Sequence, residues 1–416
     1  MGRYSGTNTT AGSARQRAKD ALARNVSHTY NRPAKHAIHS LDLESRVNIP
    51  VRGVFIKTCV FPRVGKLAYL CRKVTMRALY LNAPGSLQFR DTSPLEAPPG
   101  WVRIRMRYTG ICGSDIHYFT AGRIGDQVVT SPFVLGHEGS GEILDGGEAF
   151  SAGLPVYIEP AIPCHRCDQC LSGRENTCRS MRFLGNPLET GGCMREEIAM
   201  PHECIVPIPG WMSLEEAVLL EPLSIGMYAV DRARGRKGCR AAIAGAGPIG
   251  LSVLLGLGEI EPCEVFVSEP IAARRRAATM LGAGAVFDPG AGGAADAVSA
   301  ASKGGVDLAF ECAGTQQAID DAARMLKPGG TLVLIGIPEG VDRVTYDPHL
   351  MRRREITVIN VRRQNRMVER AISLLERRRD AAAVLITHRF PASNAAQAFS
   401  LVQRRGDGAI KVLLEF

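Results

Sequence analysis

The chain has 416 residues, enough for two or three domains, and its 45% hydrophobic and 22% charged residues are typical of a soluble globular protein. The net charge of +10 lies at the amino terminus: residues 1–75 contain 14 of the 51 basic residues but 3 of the 41 acidic ones, which leaves residues 76–416 close to neutral. A basic field over the folded body is thereby excluded, and we expect no nucleic-acid partner.

Residues 1–75 differ in composition from the rest of the chain. They are rich in Arg and Ser and poor in acids, which fits a targeting extension. Alternatively, translation starts at Met76 and residues 1–75 are upstream sequence included by a wrong start codon. At Met76 the pattern changes to Met-Arg-Ala-Leu-Tyr-Leu, a plausible first strand. Because Arg outnumbers Lys throughout the chain, the Arg richness of residues 1–75 is weak evidence for targeting, and we favour the second interpretation. We therefore expect a protein translated from Met76 to be fully active.

Two features bear on the compartment and on membranes. Four of the twelve cysteines fall within fifteen residues, too close for ordinary disulfides, which indicates a metal site in a reducing compartment, so we expect a cytoplasmic protein. Residues 241–258 carry no charge over 18 positions, near the length of a membrane span. Because this stretch contains five glycines and a proline, we interpret it as a buried strand, turn and helix, and we expect no membrane association.

Hydrophobic periodicity predicts two kinds of domain. Between Trp101 and Tyr108 apolar residues alternate with arginines, the pattern of a half-buried strand, and short strands with Gly/Pro turns continue to about Pro209. From about Leu219, apolar strands alternate with helices, and the tail after Arg363 begins with a helix and ends with a strand. We therefore predict the α/β class, with a β-rich domain and a doubly wound parallel sheet. The predicted strands of that sheet are Ala241–Ala244, Val265–Ser268, Ala285–Phe287, Val306–Phe310, Thr331–Ile335 and Ile356–Ile359.

A cluster of four cysteines predicts a closed zinc site. The pattern is C-x2-C-x2-C-x7-C, formed by Cys164, Cys167, Cys170 and Cys178. Four thiolates complete a tetrahedral shell around zinc, so we expect this site to be structural rather than catalytic. Nucleic-acid-binding fingers also contain clustered cysteines, but no helix with basic residues follows here and the spacing does not fit two paired knuckles.

A second, open metal site is predicted from three separate segments. Cys112 lies in residues 110–117 (GICGSDIH), and His137 and Glu138 lie in residues 136–141 (GHEGSG). Glu221 begins the run Glu-Pro-Leu-Ser just before the strand–helix region. Each residue alone is a weak signal, since a lone Cys is usually core and a lone Glu is usually solvated. Together they supply the sulfur, nitrogen and oxygen ligands of a catalytic zinc that keeps one position open.

A dinucleotide site is predicted where the G-x-G-x-x-G pattern follows an apolar strand and begins an apolar helix. Its members are Gly245, Gly247, Pro248, Ile249 and Gly250, which would face the pyrophosphate at the helix N-terminus. Glu269 comes 19 residues after the last glycine, where a carboxylate binds the ribose hydroxyls and repels a 2′-phosphate, so the sequence predicts NAD. The basic run Arg274–Arg276 leaves NADP as the alternative.

These motifs resemble the medium-chain, zinc-containing alcohol dehydrogenase superfamily, and within it the sorbitol (polyol) dehydrogenases. The resemblance rests on the runs CGSDIHY (112–118), GRIG (122–125) and PFVLGHE (132–138), and it extends over Met76–Phe416. It implies a GroES-like zinc domain made of residues 76–221 and 363–416, and a Rossmann domain made of residues 222–362. It also implies a homo-oligomer, a dimer or a tetramer.

The resemblance implies roles for individual residues. The three ligands Cys112, His137 and Glu138 would bind the catalytic zinc, and Glu221 would approach the metal directly or through water. Ser114 and His117 would relay the alcohol proton towards solvent. The alternatives from the residues alone are a helix N-cap for Ser114 and a capping or surface histidine for His117.

Further positions match residues that line the cofactor or the substrate in that family: Arg274 and Val361 for the cofactor, and Tyr118, Phe183 and Arg363 for the substrate. Two departures stand out, because Arg362 replaces an aromatic residue and Gln364 replaces a tyrosine. The predicted pocket is therefore more polar or more cationic than in the type pattern, and an acidic sugar derivative becomes conceivable as its substrate.

Three functions remain open from the sequence. The first is a zinc- and NAD-dependent dehydrogenase of a small polyol or secondary alcohol. The second is an amino-alcohol dehydrogenase similar to threonine dehydrogenase. The third is a non-catalytic protein that binds NAD and zinc. The complete set of predicted zinc ligands together with Ser114 favours an enzyme, and the pocket departures leave its substrate open.

Overall fold

The computed structural model describes residues 75–416 except residues 94, 131, 261, 262 and 339. The interpretations of residues 1–74, including the targeting extension, lie outside these described residues. The described residues belong to one compact unit of the chain. They contain several antiparallel strand pairings and a six-stranded parallel sheet, which follow each other in the order that the periodicity predicts.

The first part of the described chain is mainly β-structure. Its strands are β1 (Met76–Ala83), β2 (Ser86–Thr92), β3 (Trp101–Ile111), β4 (Arg123–Ile124), β5 (Gln127–Val128), β6 (Phe133–Val134), β7 (Glu138–Asp145), β8 (Pro155–Ile158), β9 (Ala161–Ile162), β10 (Arg182–Phe183), β11 (Glu197–Pro201) and β12 (Ile205–Pro207). The helices that accompany them are α1 (Gly113–Ala121), α2 (Asp168–Leu171) and α3 (Leu214–Ala217).

The second part alternates helices and strands. It contains α4 (Leu220–Arg232), β13 (Arg240–Ala244), α5 (Pro248–Leu257), β14 (Glu264–Ser268), α6 (Ala272–Met280), β15 (Ala285–Phe287), α7 (Ala294–Ala301), β16 (Val306–Glu311), α8 (Gln316–Met325), β17 (Leu326–Leu334), α9 (Pro348–Arg353) and β18 (Thr357–Asn360). The tail contains α10 (Val368–Arg377), α11 (Arg379–Leu385), β19 (Ile386–Pro391), α12 (Ala395–Gln403) and β20 (Lys411–Glu415).

Strand β3 is the centre of the β-rich sheet. Its side chains alternate as predicted, with Val102, Ile104 and Met106 buried and Arg105 exposed. It pairs antiparallel with β7, β11 and β20, and the sheet continues through β8 to β12 on one side and through β19 on the other. The C-terminal strand β20 is therefore placed beside β3, which brings the tail of the chain next to the segment that holds Cys112.

The parallel sheet has the strand order β15-β14-β13-β16-β17-β18. This is the order of a doubly wound dinucleotide-binding sheet, so the predicted fold class is confirmed. The six predicted strands are present; β15 has the predicted ends, and at least one end of each of the other five is shifted. Strand β17 begins at Leu326, earlier than predicted, because Leu326 pairs with Val306 before the register shifts to match Leu308 with Thr331. The predicted domain boundaries stay predictions.

Alternate side chains of the parallel strands enter different cores, as the period of two requires. Ile243, Val265 and Val267 belong to a core that also contains the apolar faces of α4 and α5. Ala242 and Phe266 belong to a second core, with α7 and α8. Burial on both faces explains why these strands read as continuous apolar runs in the sequence.

The uncharged stretch at residues 241–258 forms β13, the glycine turn and α5, as predicted. Most of its side chains are buried within the two cores beside the parallel sheet. Within the part of the chain that the structure describes, no helix combines the length and the hydrophobicity needed to span a bilayer.

Candidate active site

One cavity of about 1000 Å³ brings most of the predicted site residues together. The predicted metal and proton-relay residues that line it are Cys112, Ser114, His117, His137, Glu138 and Glu221, and the predicted substrate residues are Tyr118, Phe183 and Arg363. The predicted cofactor residues that line it are Gly245, Gly247, Pro248, Ile249, Glu269, Arg274 and Val361. Gly250, which lies within the first turn of α5, and the four clustered cysteines are not among the residues that line this cavity.

Cys112, His137 and Glu138 form a group of possible metal ligands. One donor atom from each lies within 4.8 Å of the other two, although the residues come from two separate segments. Cys112 precedes the first turn of α1, and Glu138 is the first residue of β7. Because Gly110 of β3 pairs with Glu138, the pairing of β3 with β7 brings the two segments together. His137 and Glu138 are buried.

Glu138 also forms a buried ion pair that the sequence reasoning missed. Lys411 Nζ lies 2.6 Å from both carboxylate oxygens of Glu138 and 3.3 Å from the carbonyl oxygen of Ile111. Burial alone would lower the pKa of Lys411, but the adjacent Glu138 carboxylate raises it. The signal in the sequence was a lysine inside the apolar C-terminal strand. A carboxylate has lone pairs for a lysine and a metal together, so the pair is compatible with a metal ligand.

Asp115 is a second residue that the sequence reasoning missed. Its Oδ2 accepts a hydrogen bond from the Cys112 N–H at 2.9 Å, and its Oδ1 accepts one from the Gly136 N–H at 3.1 Å. His137 Nδ1 lies 3.9 Å from the same Oδ1. Burial raises the pKa of Asp115. This carboxyl group thus ties together the two segments that supply the possible metal ligands.

Glu221 and Ser114 border the metal-ligand group. Glu221 lies in α4, is buried, and has an Oε2 without a hydrogen-bond partner among the described residues. Burial raises its pKa well above the usual value. Burial raises the pKa of the Cys112 thiol to about 11, and a hydrogen bond with the Ser114 side chain partly offsets this effect. Cys112, not Ser114, is the N-cap of α1, so the capping alternative for Ser114 is wrong.

The four clustered cysteines converge as predicted. One sulfur atom from each of Cys164, Cys167, Cys170 and Cys178 lies within 4.8 Å of the others. The Cys164 N–H donates to the Cys178 sulfur at 3.2 Å, and the Ser180 N–H donates to it at 3.4 Å. Backbone N–H groups, first that of Arg179, lower the pKa of Cys167 to about 6. The loop therefore supports a thiolate, the form of cysteine that binds a metal, at Cys167, whereas burial raises the pKa of Cys170.

The glycine turn has the geometry of a dinucleotide loop. Gly245 has a φ of 99°, a backbone conformation that residues other than glycine rarely adopt. A Cβ on Gly250 would lie 1.8 Å from the carbonyl oxygen of Gly245, so only glycine fits where α5 meets the turn. Gly247 is the N-cap of α5 and Pro248 its first residue, which leaves the N-terminus of the helix facing the cavity.

Glu269 lies beside this turn at the end of β14. Its Oε2 accepts from the Ala246 N–H at 2.7 Å, and its Oε1 accepts from the Ile271 N–H at 2.9 Å. Arg274 Nε donates to the carbonyl oxygen of Ala409 at 3.0 Å. Arg275 contacts the carbonyl oxygens of Glu269 and Pro270 and pairs with Asp288 at 3.0 Å. Two of the three arginines that could attract a 2′-phosphate are thus already engaged.

The substrate side of the cavity contains Phe183, Arg363 and Tyr118. The Phe183 ring lies 5.5 Å from the His137 ring, and the Arg363 guanidinium lies 3.8 Å from the centre of the Phe183 ring. Tyr118 OH hydrogen-bonds the Gln127 side chain at 3.1 Å. Phe183 and Arg363 thus lie beside the metal-ligand group, and Tyr118 lines the same cavity.

Two further acids of this region were missed from the sequence. Glu189 Oε2 lies 3.7 Å from Arg363 Nη2. Glu159 accepts a hydrogen bond from Gln364 Nε2 at 2.8 Å, and burial raises its pKa to about 7. Neither residue lies in a motif, so nothing local in the sequence could have identified it.

Family models match both parts of the chain. The alcohol dehydrogenase GroES-like domain matches residues 98–210, and the zinc-binding dehydrogenase domain matches residues 248–377. The sorbitol dehydrogenase of Gallus gallus is 33% identical over 344 residues, which cover 81% of this chain and 96% of that protein. The chain belongs to the zinc-containing alcohol dehydrogenase family. The predicted family and fold class are confirmed.

Other proteins similar to this dehydrogenase are named after related alcohols. The L-arabinitol 4-dehydrogenase of Talaromyces emersonii is 32% identical over 362 residues, which cover 80% of this chain and 92% of that protein. The crystal structure of 2R,3R-butanediol dehydrogenase from Bacillus subtilis superimposes with a TM-score of 0.74 at 26% identity, covering 82% of this chain and 99% of that one. Solved structures with this fold include one complexed with NADH and one bound to NADP. The enzyme is therefore an oxidoreductase that uses zinc, a nicotinamide cofactor and a small alcohol.

Proposed function

We propose that this dehydrogenase oxidises a polyol or another secondary alcohol with NAD, at a catalytic zinc held by Cys112, His137 and Glu138. In the reaction a carbinol carbon loses a hydride to the nicotinamide and its hydroxyl loses a proton, giving a ketone, NADH and H⁺. The observation that carries the proposal is the convergence of the three ligand atoms within 4.8 Å, in the same cavity as the glycine turn.

The chemistry of the donor set fits zinc. A thiol, an imidazole and a carboxylate are common zinc ligands, and three protein ligands leave one position for a substrate. The unpartnered Oε2 of Glu221 supports a group bound nearby, directly or through water. A zinc ion held there would supply Lewis-acid chemistry that lowers the pKa of an alcohol hydroxyl.

The proton would leave along α1. Ser114 and His117 are three residues apart on this helix, and both line the cavity. Positions three apart share one face of a helix, so a proton accepted by the Ser114 hydroxyl can pass towards His117 and solvent.

The cofactor would lie along the glycine turn. The backbone N–H groups at the N-terminus of α5 favour a pyrophosphate there. Glu269, held by two backbone N–H groups beside the turn, supports a contact with ribose hydroxyls and disfavours a 2′-phosphate. Arg274 and Val361, which also line the cavity, would contact the same cofactor. We propose NAD rather than NADP on this basis.

The proposal includes a second, structural zinc at Cys164, Cys167, Cys170 and Cys178. Four sulfurs close the coordination shell, so this ion would stabilise the loop and take no part in the reaction. A cytoplasmic location and a homo-oligomer, a dimer or a tetramer, complete the proposal, in line with the reduced thiols and the family resemblance.

A substrate panel tests the proposal. Purified enzyme with zinc is offered neutral polyols, secondary alcohols and amino alcohols, and the absorbance of NADH is followed. We expect turnover of at least one polyol or secondary alcohol that is lost in Cys112→Ser. A clear preference for amino alcohols would favour the threonine-type alternative. Absence of turnover with every polyol and secondary alcohol would overturn the proposal.

A further inference from the structure

The cavity has a cationic wall beside the predicted metal ligands. Arg362 and Arg363 follow β18 and Val361, and both line the cavity. Arg363 has a φ of 54°, in the left-handed region that is unfavourable for residues other than glycine. Asn176 Nδ2 donates to the carbonyl oxygen of Arg362 at 3.0 Å and thereby holds the turn. Two consecutive arginines thus line the same cavity.

Arg363 is positioned close to the reaction centre. Its guanidinium lies 3.8 Å from the centre of the Phe183 ring, and that ring contacts the ring of His137. Its side chain is 15% exposed, so most of its charge is removed from water. A group bound to Arg363 would therefore lie within a few bonds of a hydroxyl held near the metal ligands.

Three acids lie close enough to interact with Arg363, namely Glu189, Glu159 and Glu221. Among the described residues, none of them forms a hydrogen bond with either guanidinium group. Within the described residues, the one carboxylate in ion-pair range is Glu189, 3.7 Å from Arg363, which is longer than a hydrogen bond. Among the residues that the structure describes, neither Glu189 Oε2 nor Arg363 Nη1 has a hydrogen-bond partner. The next acid, Glu159, already accepts from Gln364 and from the N–H of Ala161.

Arg362 is exposed at the cavity, and across the part of the chain described by the structure it pairs with no acid. The guanidinium of Arg363, by contrast, is mostly buried, and its N–H groups without partners are unfavourable unless a ligand accepts hydrogen bonds from them. We propose that the substrate carries an anionic group, a carboxylate or a phosphate, that binds Arg362 and Arg363 while its hydroxyl faces the metal ligands. Guanidinium groups suit these oxyanions because paired N–H donors match paired oxygens. The inference rests on the proposed function and narrows its substrate class.

The test compares three ligands with the same carbon skeleton: neutral D-glucitol, D-gluconate and D-glucitol 6-phosphate. For the zinc-loaded enzyme with NAD, kcat/KM is expected to be at least about tenfold higher for one of the anions than for D-glucitol. Which anion is preferred distinguishes a carboxylate from a phosphate. The preference should weaken as salt is added, because Arg362 is exposed. Thermal stabilisation by each ligand gives a second readout that needs no turnover.

Substitution of Arg362 then tests its proposed role in binding the anionic group. Arg362→Gln should reduce the preference for the anion over D-glucitol by about tenfold, mainly through the KM of the anion. The matched control is Arg366→Gln, because Arg366 is exposed, pairs with Glu175 and does not line the cavity. It should leave the preference unchanged.

The outcomes separate this inference from the proposed function. If D-glucitol is oxidised as well as both anions, or if Arg362→Gln affects all three ligands equally, the anion site is wrong and the polyol proposal stands. If no ligand is oxidised but an anion stabilises the wild type and not Arg362→Gln, the anion site is supported and the polyol proposal is weakened. If no anion gives either preference or stabilisation, the inference is overturned.

Discussion

At the scale of single residues, Asp115 has a role that can be measured through metal affinity. It accepts hydrogen bonds from the N–H groups of Cys112 and Gly136, one from each ligand segment. In Asp115→Asn only one side-chain oxygen can accept, so one N–H loses its partner. Loss of such a supporting contact lowers metal affinity by about 10- to 100-fold. Zinc competition with a chelator measures the change, and Asp126→Asn, at an exposed aspartate, should keep the wild-type affinity.

Glu269 is expected to decide the choice of cofactor. Its carboxylate is fixed by two backbone N–H groups, whereas Arg274 and Arg275 are engaged elsewhere. Exposed ion pairs contribute about 0–1 kcal/mol, less than the cost of placing two negative charges together out of water. We expect kcat/KM to favour NAD by at least about tenfold, equivalent to about 1.4 kcal/mol.

Glu269→Ala should shrink this preference and can invert it while the arginines remain. Steady-state kinetics with both cofactors provides the measurement for the wild type and the variant. Equal or better use of NADP by the unmutated enzyme would show that the carboxylate does not control the choice.

Glu159 should make stability depend on pH. Burial raises its pKa from 4.5 to about 7, so the folded protein holds this proton more tightly than the unfolded chain does. The stabilisation is therefore complete below the unfolded pKa and is lost as pH rises through about 7. Between about pH 5 and pH 8 the wild type should lose on the order of 2 kcal/mol that Glu159→Gln does not lose.

Denaturant titrations at both pH values measure this difference. Glu148→Gln, at an exposed glutamate, is the control and should follow the wild type. A variant Glu159→Gln with the same pH dependence as the wild type would mean that Glu159 is ionised at no cost in the folded protein.

At the scale of elements, the loop that contains the four clustered cysteines (residues 164–178) supports the turn at Arg362 and Arg363, here called the substrate turn. Asn176 lies between Cys170 and Cys178 and donates hydrogen bonds to the Arg362 carbonyl oxygen at 3.0 Å and to Tyr228 OH at 3.2 Å. A structural zinc contributes directly to the folding of its loop. Cys167→Ser should therefore lower the midpoint of thermal unfolding and raise KM by about tenfold through displacement of the turn.

The matched control for that variant is Cys263→Ser, a partly buried cysteine outside the loop. It should leave KM unchanged. If Cys167→Ser binds one zinc fewer but keeps the wild-type KM, the loop and the substrate turn are not coupled.

At the scale of the whole molecule, the two ligand groups share no residue, and their ligands come from different segments. We expect two zinc ions per chain that bind independently. Cys112→Ser should lose one zinc and the activity while the circular dichroism and the unfolding midpoint stay close to those of the wild type. Elemental analysis of the purified protein provides the count. A single zinc in the intact protein would contradict the expectation.

The sequence by itself determined the features that depend on local spacing. The four cysteines lie within one short loop, and Gly245–Gly250 spans one turn and the first residues of α5, so the chain between their members already restricts the geometry. The alternation in β3 and the apolar runs of the parallel sheet likewise report burial directly, because side-chain direction repeats every two residues in a strand. The fold class and the candidate ligands could therefore be predicted.

Only the tertiary structure decided which distant groups meet. Lys411 pairs with Glu138 because β20 lies against β3, and Asp115 reaches Gly136 because β3 lies against β7. Glu189 lies beside Arg363 although neither position carries a motif that points to the other. Such pairs form when chain folding removes charged groups from water and each group needs a partner, and that need is satisfied across space rather than along the sequence.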